Sequence, residues 1–272
     1  MANQIKEIEI HNLWGKFSYK WVLNSDVNIL AGLNGSGKSS VLQIIDAVFT
    51  SETKRLKEFG VKGVIKGTDF EFLFNKSNPI VGWEKRNFIN ISHFNIPVQD
   101  RKFIKDSASL LDVELDSLIF SHRSDRYSFS DFQSEAIKFP EKAECFNQRI
   151  NILFEIINKL LERTGKKILI DPQTNVLSIY RDQDLLLYTQ LSSGEKQLLI
   201  ILFKVFLMND QPSILLLDEP ENSLHIEWQQ QLIDVIRKLN PNSQLIISTH
   251  SPSIFGDGWG DKLFFLEDMI LD

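Results

Sequence analysis

The 272-residue chain has one cysteine, Cys145. A single thiol can form no intrachain disulfide, and it excludes a cysteine-rich zinc site or a paired-cysteine hook. Long hydrophobic runs are also missing. The longest, Leu198 to Met208, is broken by Lys204 and is too short to span a bilayer. The first residues, Met1 to Glu7, lack the apolar centre of a secretion signal. A cytoplasmic protein with no membrane insertion is the expectation. The net charge is −6, so the molecule as a whole is not a polyanion binder, although a local basic face remains open. Internal repeats and low-complexity segments are absent. What remains is ordinary globular composition, 43% hydrophobic and 24% charged, and enough length for one large α/β domain with an inserted lobe.

The chain is organised around Gly32-Leu33-Asn34-Gly35-Ser36-Gly37-Lys38-Ser39. This fits G-x-x-x-x-G-K-[ST] at every fixed position. The apolar Val27 to Ala31 predicts a buried strand before it, and Ser40 to Phe49 a helix after it. Glycines let the backbone curl so that successive N–H groups face one anion, and the helix N-terminus adds its positive end. Asn34 to Ser40 are therefore the candidate phosphate-binding residues. Lys38 is expected at the β- and γ-phosphates, and the Ser39 hydroxyl on Mg²⁺.

A second set of signals lies far downstream. Ile214 to Leu217 predicts a buried strand that ends in Asp218 and Glu219. A buried parallel strand delivers its last residues to the ligand edge of a sheet. There Asp218 can hold Mg²⁺ through a water, and Glu219 can polarise a water for attack on the γ-phosphate. The run from Gln244 predicts a last core strand that ends in His250, where a γ-phosphate sensor would sit, although a lone histidine at a strand end is more often structural. Ser192, Ser193 and Gly194 open an apolar helix and offer hydroxyls and N–H groups, a second anion site or simply a helix cap.

Other candidates are less specific. Gln99, after the strand predicted from Phe88, could hold Mg²⁺ and the attacking water. Trp14, Phe17 and Tyr19 are candidates for stacking on adenine, or ordinary packing aromatics. Arg123 could reach a phosphate or join a surface salt-bridge cluster. The lysines and arginine between Thr53 and Lys66 read as a solvated helix end, with nucleic-acid contact the alternative. Pro140 opens a long amphipathic helix whose apolar positions run from Phe146 to Leu161, and Gly165 caps it. Cys145 is expected there as a small apolar residue.

Taken together, these residues resemble the ABC-type ATPases. The phosphate loop Gly32–Ser39 matches their Walker A, Leu191-Ser192-Ser193-Gly194-Glu195 their signature, and Ile214–Glu219 their Walker B. Glu221–His225 matches the D-loop, and His250 the switch histidine. The wording of the signature and D-loop is similar to the soluble group of SMC, RecF and OLD ATPases and to the ATPases of bacterial anti-phage and retron systems such as PtuA. Long coiled coils and a zinc hook, which SMC-like repair proteins carry, are absent.

The resemblance implies an α/β P-loop fold with a mainly parallel core sheet, an antiparallel β portion and a helical insert. Residues 1–99 and 166–272 would form the ATPase core and 100–165 the insert. It further implies ATP and Mg²⁺ as ligands and a head-to-tail homodimer sandwiching two ATP molecules. Each would lie between Walker A of one subunit and the signature of the other. Hydrolysis would then regulate a separate effector protein, a nuclease or toxin, or clamp nucleic acid, in DNA repair or anti-phage defence. The nucleotide-binding subunit of a membrane transporter is the alternative.

Overall fold

A computed structural model describes residues 4–75, 79–81, 88–92, 109–120, 127–256 and 258–271. The chain forms two compact units. The first comprises Met1–Asn95, Gln211–Glu221 and Asn242–Asp272; the second comprises Ile96–Asp210 and Asn222–Pro241. The sequence division at 100–165 runs differently, because residues 166–210 and 222–241 group with the helices here.

The first unit has two sheets. The parallel one contains β3 (Val27–Ala31), β7 (Phe88–Ser92), β11 (Ser213–Asp218), β12 (Ser243–Ser248) and β13 (Leu263–Phe265), in the order β13-β3-β12-β11-β7. Every residue of β3, β11 and β12 is buried. That is why their centres, Ile29 to Ala31, Ile214 to Leu217 and Leu245 to Ile247, are apolar runs rather than alternating. The antiparallel sheet has the order β2-β1-β4-β5-β6, from β1 (Ile5–Leu13), β2 (Phe17–Val22), β4 (Lys62–Gly67), β5 (Glu71–Phe74) and β6 (Pro79–Val81). Here β1 alternates, with Ile5, Ile8 and Ile10 inside and Lys6 outside.

Helix α1 (Lys38–Phe49) joins both sheets in one apolar cluster. Its Val41, Leu42, Ile44, Ile45, Val48 and Phe49 belong with Ile8 and Ile10 of β1, Ile214 and Leu216 of β11 and Ile246 of β12. Removing one of these branched side chains, as in Leu216→Ala, costs about 2–5 kcal/mol. Gln244 stitches the sheets through polar atoms. Its side chain accepts from Ile5 N at 2.7 Å and donates to Ile5 O at 2.8 Å and Asn24 O at 2.7 Å.

The basic stretch after α1 contains the expected helix end, with Lys57 in its last turn, and then continues into a strand. A short helix, α2 (Thr53–Phe59), is followed by strand β4. Lys66 on β4 and Lys20 on β2 flank Glu7 of β1 at 3.0 and 3.1 Å. Lys66 thus sits on the polar face of a sheet, a role that charge counting alone hides.

The second unit contains α3 (Leu110–Ile119), α4 (Phe129–Lys138), α5 (Ala143–Leu161), α6 (Ser193–Leu207) and α7 (Ile226–Leu239). A small antiparallel sheet completes it, in the order β10-β9-β8, from β8 (Lys166–Ile170), β9 (Leu177–Arg181) and β10 (Asp184–Leu186). Pro140 starts a 3₁₀ turn rather than α5 itself, and Gly165 ends the 3₁₀ turn after α5 with φ +66°. Phe129, Phe132, Phe203 and Phe206 are fully buried; Phe132 meets Phe206 at 4.6 Å and Phe146 at 5.0 Å between ring centres. Cys145 lies on α5 but faces solvent, so it does not act as an apolar core residue.

Candidate active site

The phosphate loop leaves the end of β3 and enters α1 at Lys38. Gly37 is the helix N-cap, with φ +112° and no side-chain cap. That positive φ favours glycine, and a Cβ there would also lie 2.9 Å from Trp14 Cη2 and push the indole aside. No acidic residue occupies the first turn of α1, which leaves its positive end uncompensated. Lys38 is 3% exposed, and its ammonium donates to Gly32 O and Leu33 O, both at 3.0 Å. Burial lowers its pKa from the ordinary 10.5, while the carboxylates of Glu219, Glu267, Asp218 and Glu221 pull the other way. Ser36 Oγ is buried with no hydrogen-bond partner among the described residues.

The acidic end of β11 is wired to the end of β12, residue against residue. In the parallel register Asp218 pairs with Ser248. The Ser248 hydroxyl donates to Asp218 Oδ1. Glu219 N donates to Ser248 O at 3.0 Å. Glu219 itself has φ +47°, a left-handed conformation that is costly for a non-glycine residue and turns the chain sharply at the sheet edge. Its Oε1 meets His250 Nε2 at 2.6 Å.

One cleft of about 150 Å³ is lined by Trp14, Gly35, Gly37, Lys38, Ser39, Ser40, Glu219 and His250. Both ends of the motif set therefore meet in one place, although some 180 residues of sequence separate Lys38 from Glu219. A larger cleft of about 630 Å³, around His11, Lys16 and Lys62, carries none of these groups. We place the site in the smaller one on chemical grounds. An uncapped helix start, a buried lysine and an orphaned buried hydroxyl fit a polyphosphate. Ser39 and Asp218 supply hard oxygen donors of the kind Mg²⁺ takes, with phosphate and water completing its shell. No cluster of three or more His, Cys, Asp or Glu side chains able to hold a metal occurs among the described residues. Of the three aromatic candidates, Trp14 lines the cleft and is 50% exposed, whereas Tyr19 is buried. Gln99 and Arg123 lie outside the described residues.

The signature residues belong to the second unit. Ser192 is the N-cap of α6 in a reciprocal capping box. Its hydroxyl accepts from Glu195 N at 3.3 Å, and its N–H donates to Glu195 Oε2 at 2.8 Å. Ser192 and Ser193 are exposed and Gly194 is buried. A Cβ on Gly194 would sit 2.2 Å from Ser223 O, so only glycine lets the D-loop backbone lie against the helix start. Lys166 of β8 donates to both oxygens of Glu195, at 2.6 and 2.7 Å. Neither Lys166 nor Glu267, whose Oε1 accepts from Leu33 N at 3.3 Å, carries a motif signal in the sequence. Both are found only once the fold brings distant segments together.

This architecture is similar to that of the ABC-type P-loop ATPase heads. The chain belongs to the family described as "AAA domain, putative AbiEii toxin, Type IV TA system", whose profile matches residues 82–256, well over half of its length. The matched range takes in the signature, Asp218, Glu219 and His250; the phosphate loop precedes it. The chain is 24% identical to the Septu protein PtuA of Bacillus thuringiensis, covering 91% of this chain and 72% of that protein. It is 32% identical over 108 residues to the "Retron Ec83 probable ATPase" of Escherichia coli, covering 36% of this chain and 18% of that one. Its fold is similar to the Smc head domain of Pyrococcus furiosus, solved with an extended coiled coil and bound to the C-terminal domain of ScpA. That match has a TM-score of 0.55 at 16% identity and covers 93% of this chain and 91% of that one. No described helix is long and apolar enough to cross a membrane.

Proposed function

We propose that this protein is a Mg²⁺-dependent ATP hydrolase that closes as a head-to-tail dimer and controls a separate effector or a nucleic acid in anti-phage defence or DNA repair. The observation that carries the reading is the single cleft shared by Lys38, Ser39, Glu219 and His250. Lys38 exchanges its two carbonyl partners for the β- and γ-phosphate oxygens. The N–H groups from Asn34 to Ser40 hold the β-phosphate at the open helix end. The Ser39 hydroxyl and Asp218 would hold Mg²⁺, which would supply charge neutralisation at the phosphates. Glu219 accepts a proton from the attacking water. His250 leaves Glu219 Oε1 to hydrogen-bond the γ-phosphate, which frees that oxygen for the water.

Ser192, Ser193 and Gly194 complete the pocket from a second copy. The exposure of Ser192 and Ser193 at an α-helix N-terminus is the supporting observation, because an exposed helix start presents N–H groups and hydroxyls to an anion brought by another molecule. The similarity to the Septu and retron proteins supports the defence reading. An effector supplied by another chain, such as a nuclease or toxin, would be the output.

The test is ATP turnover by the wild-type protein beside Lys38→Ala and Glu219→Gln. Glu219→Gln should lower kcat at least a hundredfold while keeping nucleotide affinity, and should elute as a dimer in ATP but not in its absence. A variant that binds ATP yet stays monomeric at every protein concentration would overturn the sandwich. Turnover that survives Glu219→Gln would overturn the assigned base.

A further inference from the structure

Glu221 lies two residues beyond Glu219, and its carboxylate is given to the backbone of the turn that carries His250. Its Oε1 accepts from Thr249 Oγ1 at 2.7 Å, from His250 N at 2.8 Å and from Ser251 N at 3.3 Å. Thr249 is anchored from the other side, its N–H donating to Leu30 O at 3.1 Å. Ser251 N also reaches Thr249 Oγ1 at 3.0 Å. One ionised oxygen thus gathers three donors from three successive residues. Three hydrogen bonds that converge on one acceptor oxygen fix the plane of the peptide that carries His250, and it is the position of that oxygen that sets them. The His250 ring, set by that peptide, meets Glu219 at 2.6 Å.

We propose that Glu221 is a positioning residue: it holds the 249–251 turn so that the His250 ring faces Glu219 and, in the hydrolysis cycle, the terminal phosphate. The proposal rests on the hydrolase reading above for its catalytic meaning, but its geometric half is testable without nucleotide. Pro220 separates the two acids, so Glu219 and Glu221 cannot exchange roles by a small slide of the chain.

Three replacements separate reach from charge. Glu221→Gln keeps the length and an acceptor oxygen but loses the charge. Glu221→Asp keeps the charge but withdraws it by one methylene from all three donors. Glu221→Ala loses both. Expected are a kcat loss of tenfold or more in Glu221→Ala and Glu221→Asp, with the Kd for a fluorescent ATP analogue within twofold of wild type. Glu221→Gln should retain most of the rate.

The second readout is the His250 ring resonance in the nucleotide-free protein, identified by its loss in His250→Gln. Glu219→Gln should move that resonance in the wild-type background and leave it unmoved in Glu221→Asp. Should Glu221→Ala not fold, Glu221→Asp carries both measurements. The opposite order, with Asp tolerated and Gln inactive, would show that charge matters and position does not, and would overturn the proposal. So would an intact response of the His250 resonance in Glu221→Asp. A wild-type protein that hydrolyses no ATP would instead remove the hydrolase reading, and with it the catalytic meaning of the coupling.

Discussion

Lys166 grips both carboxylate oxygens of Glu195 at 2.6 and 2.7 Å, with the side chains only 6% and 2% exposed. Burial by itself would raise the Glu195 pKa. The Lys166 ammonium and the Ser192 N–H outweigh it, so the group lies below its ordinary 4.5. Breaking one side of such a pair leaves a buried charge and costs about 3–5 kcal/mol. Lys166→Met should therefore be strongly destabilised at pH 7.

The sign of the pH dependence follows. A carboxyl whose folded pKa is depressed contributes stability that is present above its unfolded value and fades as pH falls through the folded one. In Lys166→Met burial acts unopposed by the ammonium and raises the folded pKa, so acidification helps that variant. The gap in unfolding free energy between the two proteins should be largest near pH 7 and should shrink below about pH 4.5. Urea titrations across that range read it directly. A gap that widens on acidification would contradict the assignment.

Gly194→Ala places a methyl group 2.2 Å from Ser223 O. Because that neighbour is backbone, it cannot rotate away. Overpacking of this kind costs about 1–3 kcal/mol. The variant should have a lower urea midpoint, and its ATP-driven dimerisation should fall further than its stability, since the helix start and the D-loop are displaced together.

Trp14 rests against the phosphate loop with half of its surface exposed. Its emission should change when Mg²⁺-ATP is added, and Trp14→Phe should remove that change. Trp14→Ala should raise the Kd for ATP several-fold while sparing affinity for inorganic triphosphate if the indole faces the base. Equal losses for both ligands would place the ring at the phosphates instead.

Lys38→Ala removes the buried ammonium of the loop. A ligand present at a hundred times its Kd stabilises the folded state by about 2.7 kcal/mol. Wild-type protein should therefore melt several degrees higher in saturating Mg²⁺-ATP. Lys38→Ala should show no such rise, measured by differential scanning fluorimetry.

The parts of this molecule written locally were legible in the sequence. Buried strands β3, β11 and β12 announced themselves as apolar runs, and the glycine-rich loop carries its own geometry. Glu219 and His250 could each be assigned to the ligand edge of the sheet from the apolar run before it, although β11 ends at Asp218 and β12 at Ser248, short of the predicted end at His250. Lys166, Glu267 and the actual duty of Glu221 were not legible. Each acts through a hydrogen bond to a segment 28 or more residues away, and a single lysine or glutamate has no sequence signature for its partner. Strand β4 was hidden for a different reason. Its lysines and glycines dilute the alternation, and only pairing with β1 and β5 makes it a strand.

The cross-wiring of β11 and β12 has one more effect. In a parallel pair the ladder alone tolerates slippage, since apolar side chains such as Leu215 and Ile246 are nearly interchangeable. At the sheet edge they are followed by Asp218 against Ser248, Glu219 against His250 and Glu221 against Thr249. A shift by a single residue would break all three matches at once and strand three acids together. These three carboxylates therefore act as a combination lock on strand alignment, and a chain that assembled out of step would fail to fold before it could fail to work.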